Sequence, residues 1–342
     1  MFDKINANKN YMLWAVSRDW RALRNASYEL QNDKDVVLKA VSQNGYALGY
    51  ASPALRNDRE VVLKAIENNA SYALEYASDE LKNDKDVVLK AVSLIGNALQ
   101  HASDRLKNDK DVVLKAVSEF GYALRSASHE LQNDKDVVLE AVSKYGCALQ
   151  FASPELRNDR DVVFRAVISD VEALQYASNE LKNDRDVAFK AVSLDGSALC
   201  HASNELKNDR DIVLEAISQD GCNLYHASPE LKNDKDIVLK AVGENGYALK
   251  YASSELQNDR DVVLKAISQN PNALAFASPE LQNDRNIVLK AVNQNRSVLQ
   301  YASDELQYLW YSGYFPDDLD DIGDDDIDDN DIGDDDPGDI GD

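Results

Sequence analysis

The chain has 342 residues, 44% of them hydrophobic, and a formal charge of −24. The 15 Asp of residues 317–342 carry most of that charge and leave −9 for the remainder, which argues against nucleic-acid binding because that rests on clustered positive charge. No apolar run reaches membrane-spanning length, and Met1-Phe2-Asp3-Lys4 does not read as a signal peptide, so a protein that is cytoplasmic where it is synthesised and stays off membranes is expected.

Taken in order, the chain is dominated by copies of one stretch, Asn32-Asp33-Lys34-Asp35-Val36-Val37-Leu38-Lys39-Ala40-Val41. Asn-Asp recurs through Asn57-Asp58 and Asn83-Asp84 to Asn283-Asp284, at a step of 25 residues except once, where Ala70 makes it 26. A fixed period of this size is the signature of a solenoid, in which each unit buries its apolar face only against its neighbours. The all-α form follows from the pattern within a unit. Val36, Val37, Ala40 and Val41 share one arc of a 3.6-residue wheel, behind an Asp33 N-cap and with Asp35 in the first turn. Gly45 is expected to stop this helix in the left-handed conformation. Ala47, Leu48 and Ala51 then form a second short apolar face, and Ser52-Pro53 caps a last turn anchored by Leu55. The alternation that a leucine-rich repeat requires is absent from Val-Val-Leu-Lys-Ala-Val.

The expected architecture is therefore an α-solenoid of about twelve helical units of 25 residues. Residues 1–34 read as a degenerate N-terminal capping repeat, in which Trp14 and Trp20 depart from the pattern, and 35–307 as the tandem repeats. Residues 308–316, Tyr308-Leu309-Trp310-Tyr311 onward, read either as an aromatic C-terminal cap or as an aromatic docking motif. Residues 317–342 read as a disordered Asp-rich tail, because self-repulsion and the lack of core-forming side chains oppose folding. An EF-hand loop starting at Asp328 fails, since Ile332 takes a ligand position.

The string Val-Val-Leu-Lys-Ala-Val-Ser-Gln-Asn-Gly-Tyr-Ala-Leu from Val36, with its copies, resembles the repeats of the family known as domain of unknown function 4116 over about Asn8 to Leu306. The resemblance implies kinship with effector-type proteins of intracellular bacteria and with protist and giant-virus proteins, and with it delivery into a host cell for an effector-like protein. It brings no chemistry to carry over.

No HExxH, GxSxG, P-loop or GxGxxG stands in the chain, so no enzyme, no catalytic residues and no cofactor are expected. Cys147, Cys200 and Cys222 form no CxxC pair and read as free thiols. His201 and His226 fall on adjacent layers of one column and could share a zinc, but they lack further ligands, and aromatic packing along that column is the plainer reading. The column of Lys39, Lys64, Lys90 and Lys115 is explained better by pairing with an acid four residues earlier than by an anionic ligand.

One column breaks its own rule. The residue before the glycine is Asn or Asp in most units but becomes Ile95, Phe120 and Tyr145 in three successive ones, with Leu94 and Leu194 replacing polar residues just before it. Such a stripe, roughly 20 Å long at the spacing of packed helices, is either extra core or a docking patch. The candidate partner-binding residues are thus Leu94, Ile95, Phe120, Tyr145, Leu194 and Trp310, and the expected function is a noncatalytic scaffold for a protein or peptide partner. The alternatives are electrostatic binding of basic proteins by the tail, or an unseen metal-dependent or enzymatic site.

Overall fold

A computed structural model describes residues 8–312; the acidic segment 317–342 and the end of the aromatic stretch, 313–316, lie outside the described residues. Among the described residues there are twelve long helices, from Lys9–Arg18 to Arg285–Gln294, and no strand. A typical unit has a long helix (Lys85–Leu94), a 3-10 helix (Gly96–His101) and a short helix (Asp104–Lys107). Each long helix packs on the long helix of the next unit and on the 3-10 helix of the unit before it, so the units stack in chain order as an all-α solenoid. Asn69 is extended (φ −169°, ψ 86°) as its counterpart Asn44 is, and the extra residue at Ala70 lengthens the segment that follows, 70–76 against Gly45–Tyr50, before the register resumes at the Ser78 cap.

The apolar columns read from the sequence line a continuous interior. Val87, Val88, Ala91, Val92, Ala98 and Leu99 of one unit are wholly buried, as are their counterparts in almost every other unit. The Asn-Asp pair does more than turn the chain. Asp109 accepts the backbone N–H groups of Asp111 and Val112 at its Oδ1, capping the long helix, while its Oδ2 takes Lys85 of the preceding unit at 2.9 Å. Lys85 also reaches Asp111, again at 2.9 Å. The same bifurcated pairing recurs at Lys110 with Asp134 and Asp136, and at Arg185 with Asp209 and Asp211. The acids expected to pair with the Lys39 column are therefore engaged across the unit boundary instead, because the cap lysine of the previous layer lies nearer than a side chain one turn along. Where that column does pair, it pairs forward, as in Lys115 with Glu119. The Asn of each pair ties the third edge: Ser103 donates its hydroxyl to Asn83 Oδ1 at 2.7 Å and its backbone N–H to the carbonyl of Lys82.

Gly45 does not stop the helix in a left-handed conformation. The preceding Asn44 is extended (φ −155°, ψ 122°), no positive φ occurs at this glycine, and Gly45 opens the 3-10 helix. What requires glycine is proximity. A Cβ at Gly246 would stand 2.6 Å from the carbonyl oxygen of Ala266 in the next unit, against a backbone that cannot swing aside. Val171, Pro271 and Arg296 occupy this column elsewhere, so neighbouring units can adjust, at a cost. Gly246→Ala is expected to lower stability by about 1–2 kcal/mol in urea unfolding, the range for overpacking a close contact. An unchanged midpoint would show that the layers slide freely.

The interior falls into two apolar clusters that meet in the unit beginning at Arg185. Ala188 stands there in a column otherwise held by Val beyond the first unit, directly after the unit in which Val171 replaces glycine. The ion-pair ladder crosses this seam intact, through Arg160 with Asp184 and Asp186.

Candidate interaction surface

The 3-10 helix of each unit begins at a residue whose side chain normally caps it. Asn44 accepts the N–H of Tyr46, Asp170 that of Glu172, and Asn270 that of Asn272. Ile95, Phe120 and Tyr145 occupy this cap position and make no such bond. Nor are they core. Ile95 is 41% exposed and Tyr145 37%, Phe120 is half-buried, and Leu94 beside Ile95 is 50% exposed. The extended cap residue leaves the helix before the 3-10 helix begins, which sets its side chain at the edge of the core instead of within it.

The rings meet across layers. Phe120 and Tyr145 have centroids 5.5 Å apart at 70°, and Tyr122 joins both from the 3-10 helix at 5.6 and 5.9 Å before reaching Phe151 at 5.8 Å. Edge contacts of this kind fix the rings without hiding their faces. The polar margin includes Lys144, whose ammonium donates to the carbonyl of Ser118, and the Lys115–Glu119 pair. Leu94, Ile95, Phe120 and Tyr145 thus lie on three adjacent layers, with Tyr122 as a member that the sequence reading missed. Its signal was the tyrosine two residues after Phe120.

Leu194 is exposed but sits two units beyond Tyr145 and does not join the strip. Trp310 lies on the terminal helix Asp304–Tyr311, half-buried with Leu309 against the last core cluster, while Tyr308 and Tyr311 on the same helix are exposed. A second apolar set escaped the sequence reading. Phe164 and Phe189 replace the usual Leu in two successive long helices and flank a depression of about 440 Å³ shared with Arg185, Asp186, Lys190 and Ser193. Ile168 stands exposed one turn along from Phe164. The Leu-to-Phe change in one column was the available signal.

The aromatic column expected to stack along the seam does not do so: among the described residues no ring contact joins two of its members. Its rings meet side chains of other columns, as Tyr46–Tyr76, Tyr122–Phe151 and Tyr247–Phe276, because adjacent layers offset the rings. His201 sits 3.0 Å from Glu172 through Nε2, and burial holds His226 below the usual imidazole range. Among the described residues no three His, Cys, Asp or Glu side chains converge as a metal site would require. Burial, reinforced by the Asp170 carboxylate that accepts its S–H at 3.1 Å, pushes the Cys147 thiol up to about 12, and burial with Asp220 pushes Cys222 up to about 11. Thiols so placed stay protonated near neutrality and are poor nucleophiles. No helix among the described residues is long and apolar enough to cross a membrane.

This geometry defines a helical repeat protein: a ladder-tied stack of near-identical units that differ at a few columns. The family model described as Domain of unknown function (DUF4116) matches it in overlapping windows from 8–56 and 58–107 through to 259–307, and the chain belongs to that family. No curated protein and no solved structure matches the chain.

Proposed function

We propose that the array is a noncatalytic protein-interaction scaffold, and that a protein or peptide partner docks on the strip of Leu94, Ile95, Phe120 and Tyr145. The observation that carries this reading is the missing cap. In three successive units an Asn or Asp that would bond the start of the 3-10 helix is replaced by a large apolar side chain left partly in water. An N-cap side chain contributes about 1 kcal/mol, so the fold alone favours Asn or Asp at all three positions. Contiguous exposed apolar surface is the usual mark of an interaction site. A preformed strip on a stacked scaffold also binds with little ordering cost.

The sister units supply the variant. Ile95→Asn/Phe120→Asn/Tyr145→Asn restores the residue found at Asn44, Asn245 and Asn270, and its melting temperature is expected to equal or exceed that of the parent. Peptides selected by display on the parent protein are expected to lose at least tenfold in affinity for this variant. Selected peptides that bind both proteins equally would remove the strip as the docking site.

A further inference from the structure

The column that carries the strip does not stop at Tyr145; its next three members are Asp170, Asp195 and Asp220. The column is in close contact from Ile95's unit to Asp170. A Cβ on the glycine would touch the following member in three units, with Gly96 2.9 Å from Phe120 Cβ, Gly121 2.9 Å from Tyr145 Cβ, and Gly146 2.7 Å from Asp170 Cβ. Beyond Asp170 the order of the column follows from the stacking of the long helices Arg160–Ser169, Arg185–Leu194 and Arg210–Gln219. At the far end Asn245 donates its side-chain amide to Asp220 Oδ1 at 3.0 Å. Three apolar layers are therefore followed directly by three acidic ones.

Asp195 and Asp220 spend one oxygen on the fold, each accepting at Oδ1 the backbone N–H two residues on, at 2.9 Å. Asp170 spends both, Oδ1 on the N–H of Glu172 at 3.0 Å and Oδ2 on the Cys147 thiol. Arg160 and Arg185 begin the long helices that Asp170 and Asp195 end, and are committed at that far end to Asp184 and Asp186 and to Asp209 and Asp211. Asp195 and Asp220 are exposed and form no ion pair among the described residues, whereas the cap Asp of most long helices does. An unneutralised acidic sector continuous with an apolar one is complementary to a ligand with the same two sectors.

Spacing narrows the ligand further. Packed helical layers repeat at roughly 8–10 Å. An extended chain of the polyproline type advances about 9 Å in each three-residue turn, so every third side chain meets the next layer.

We propose that the column from Ile95 to Asp220 is a two-sector track for an extended peptide segment bearing apolar side chains at three successive every-third positions and Lys or Arg at the following ones. This rests on the strip being the docking site and adds the chemistry of its partner. Recognition is by apolar contact with Ile95, Phe120 and Tyr145 and by ion pairing with Asp195 and Asp220. The order of sectors, not composition alone, sets affinity.

The test uses the full chain and labelled synthetic 18-residue peptides read by fluorescence anisotropy. Two carry Leu at three every-third positions and Arg at the other three, in blocks, one in each chain direction. A third alternates the same residues, and a fourth replaces Arg by Gln in the block order. At least one block peptide is expected to bind about fivefold tighter than the alternating one, a gain in keeping with two exposed ion pairs, and to lose that advantage as salt is raised. Asp195→Asn/Asp220→Asn, which keeps the cap as Asn44 and Asn245 do, is expected to abolish the gain while leaving the Gln peptide unchanged. Equal binding of block and alternating peptides, or no effect of the Asn pair, would overturn the track. If the Gln peptide binds and is released by Ile95→Asn/Phe120→Asn/Tyr145→Asn, the docking strip stands even where the arginines add nothing. If no peptide responds to that triple variant, the strip itself fails.

Discussion

Leu124→Ala is expected to cost about 3–4 kcal/mol and to split the single unfolding transition in urea into two. Leu124 is wholly buried in the 3-10 helix Gly121–Ser126, which packs on the long helices of its own and the next unit and on the 3-10 helices to either side. The loss combines the transfer of the missing methyl groups with the cavity they leave, and a site walled by two stacked layers collapses poorly. In a solenoid the stability is nearly a sum of unit and nearest-neighbour terms, so weakening one interface uncouples the units on either side. Leu114→Ala is the comparison. Leu114 is only half-buried at the core edge, and about 1 kcal/mol with a single transition is expected there. Equal effects at the two positions would mean that burial depth is not what holds the layers together.

Period and caps were legible because both are local. Asn-Asp every 25 residues, a 3.6-residue apolar arc and Ser ahead of each last turn require only that a helix begin and end, and Asp109 and Ser103 cap as their residue types predict. What the sequence hid is what crosses between layers. Lys85 meets Asp109 and Asp111 at offsets of one period less one and one period more one, which become partners only once successive helices lie side by side. The glycine column was read through its commonest local role, a left-handed cap, whereas its actual constraint is the carbonyl of the next unit, such as Ala266 over Gly246. The strip illustrates the same limit. Helical periodicity placed Phe120 on the core-facing arc, but the helix ends one residue earlier, at Glu119, and the extended backbone at Phe120 leaves the ring half-buried at the edge of the core. A one-residue shift in a helix end was enough to move the position from the interior to the core's edge.

Asp134→Ala is expected to cost about 2 kcal/mol and Asp134→Asn well under half of that, because the two variants remove different things. Asp134 caps the long helix Lys135–Lys144 through the N–H groups of Asp136 and Val137 and holds Lys110 of the previous unit at 2.8 Å. Alanine removes the cap, worth about 1–2 kcal/mol, and the charge as well. Asparagine keeps an acceptor for the cap and loses only a solvent-screened pair, a few tenths of a kcal/mol. The acid limb of stability follows from the same contacts. Partial burial alone would raise the Asp134 carboxyl, but the Lys110 ammonium and the N–H of Val137 outweigh it and hold it below the usual carboxylate range. Asp33, Asp58, Asp109, Asp159 and Asp184 are lowered in the same balance. A carboxyl whose folded pKa is depressed contributes stability that is fully present above its unfolded value, about 4, and lost as pH falls through the folded one. Lys85, Lys110 and Lys135 are raised by their carboxylate partners, so their share is present below the ordinary lysine range and lost only above it. Urea midpoints are therefore expected to hold level from about pH 5 to 9 and to fall below about pH 4 as the ladder protonates, with Asp134→Asn giving a shallower acid limb than the parent. A parent and variant that fall in parallel would place the acid transition in other carboxyls and leave the ladder as geometry without linkage to stability.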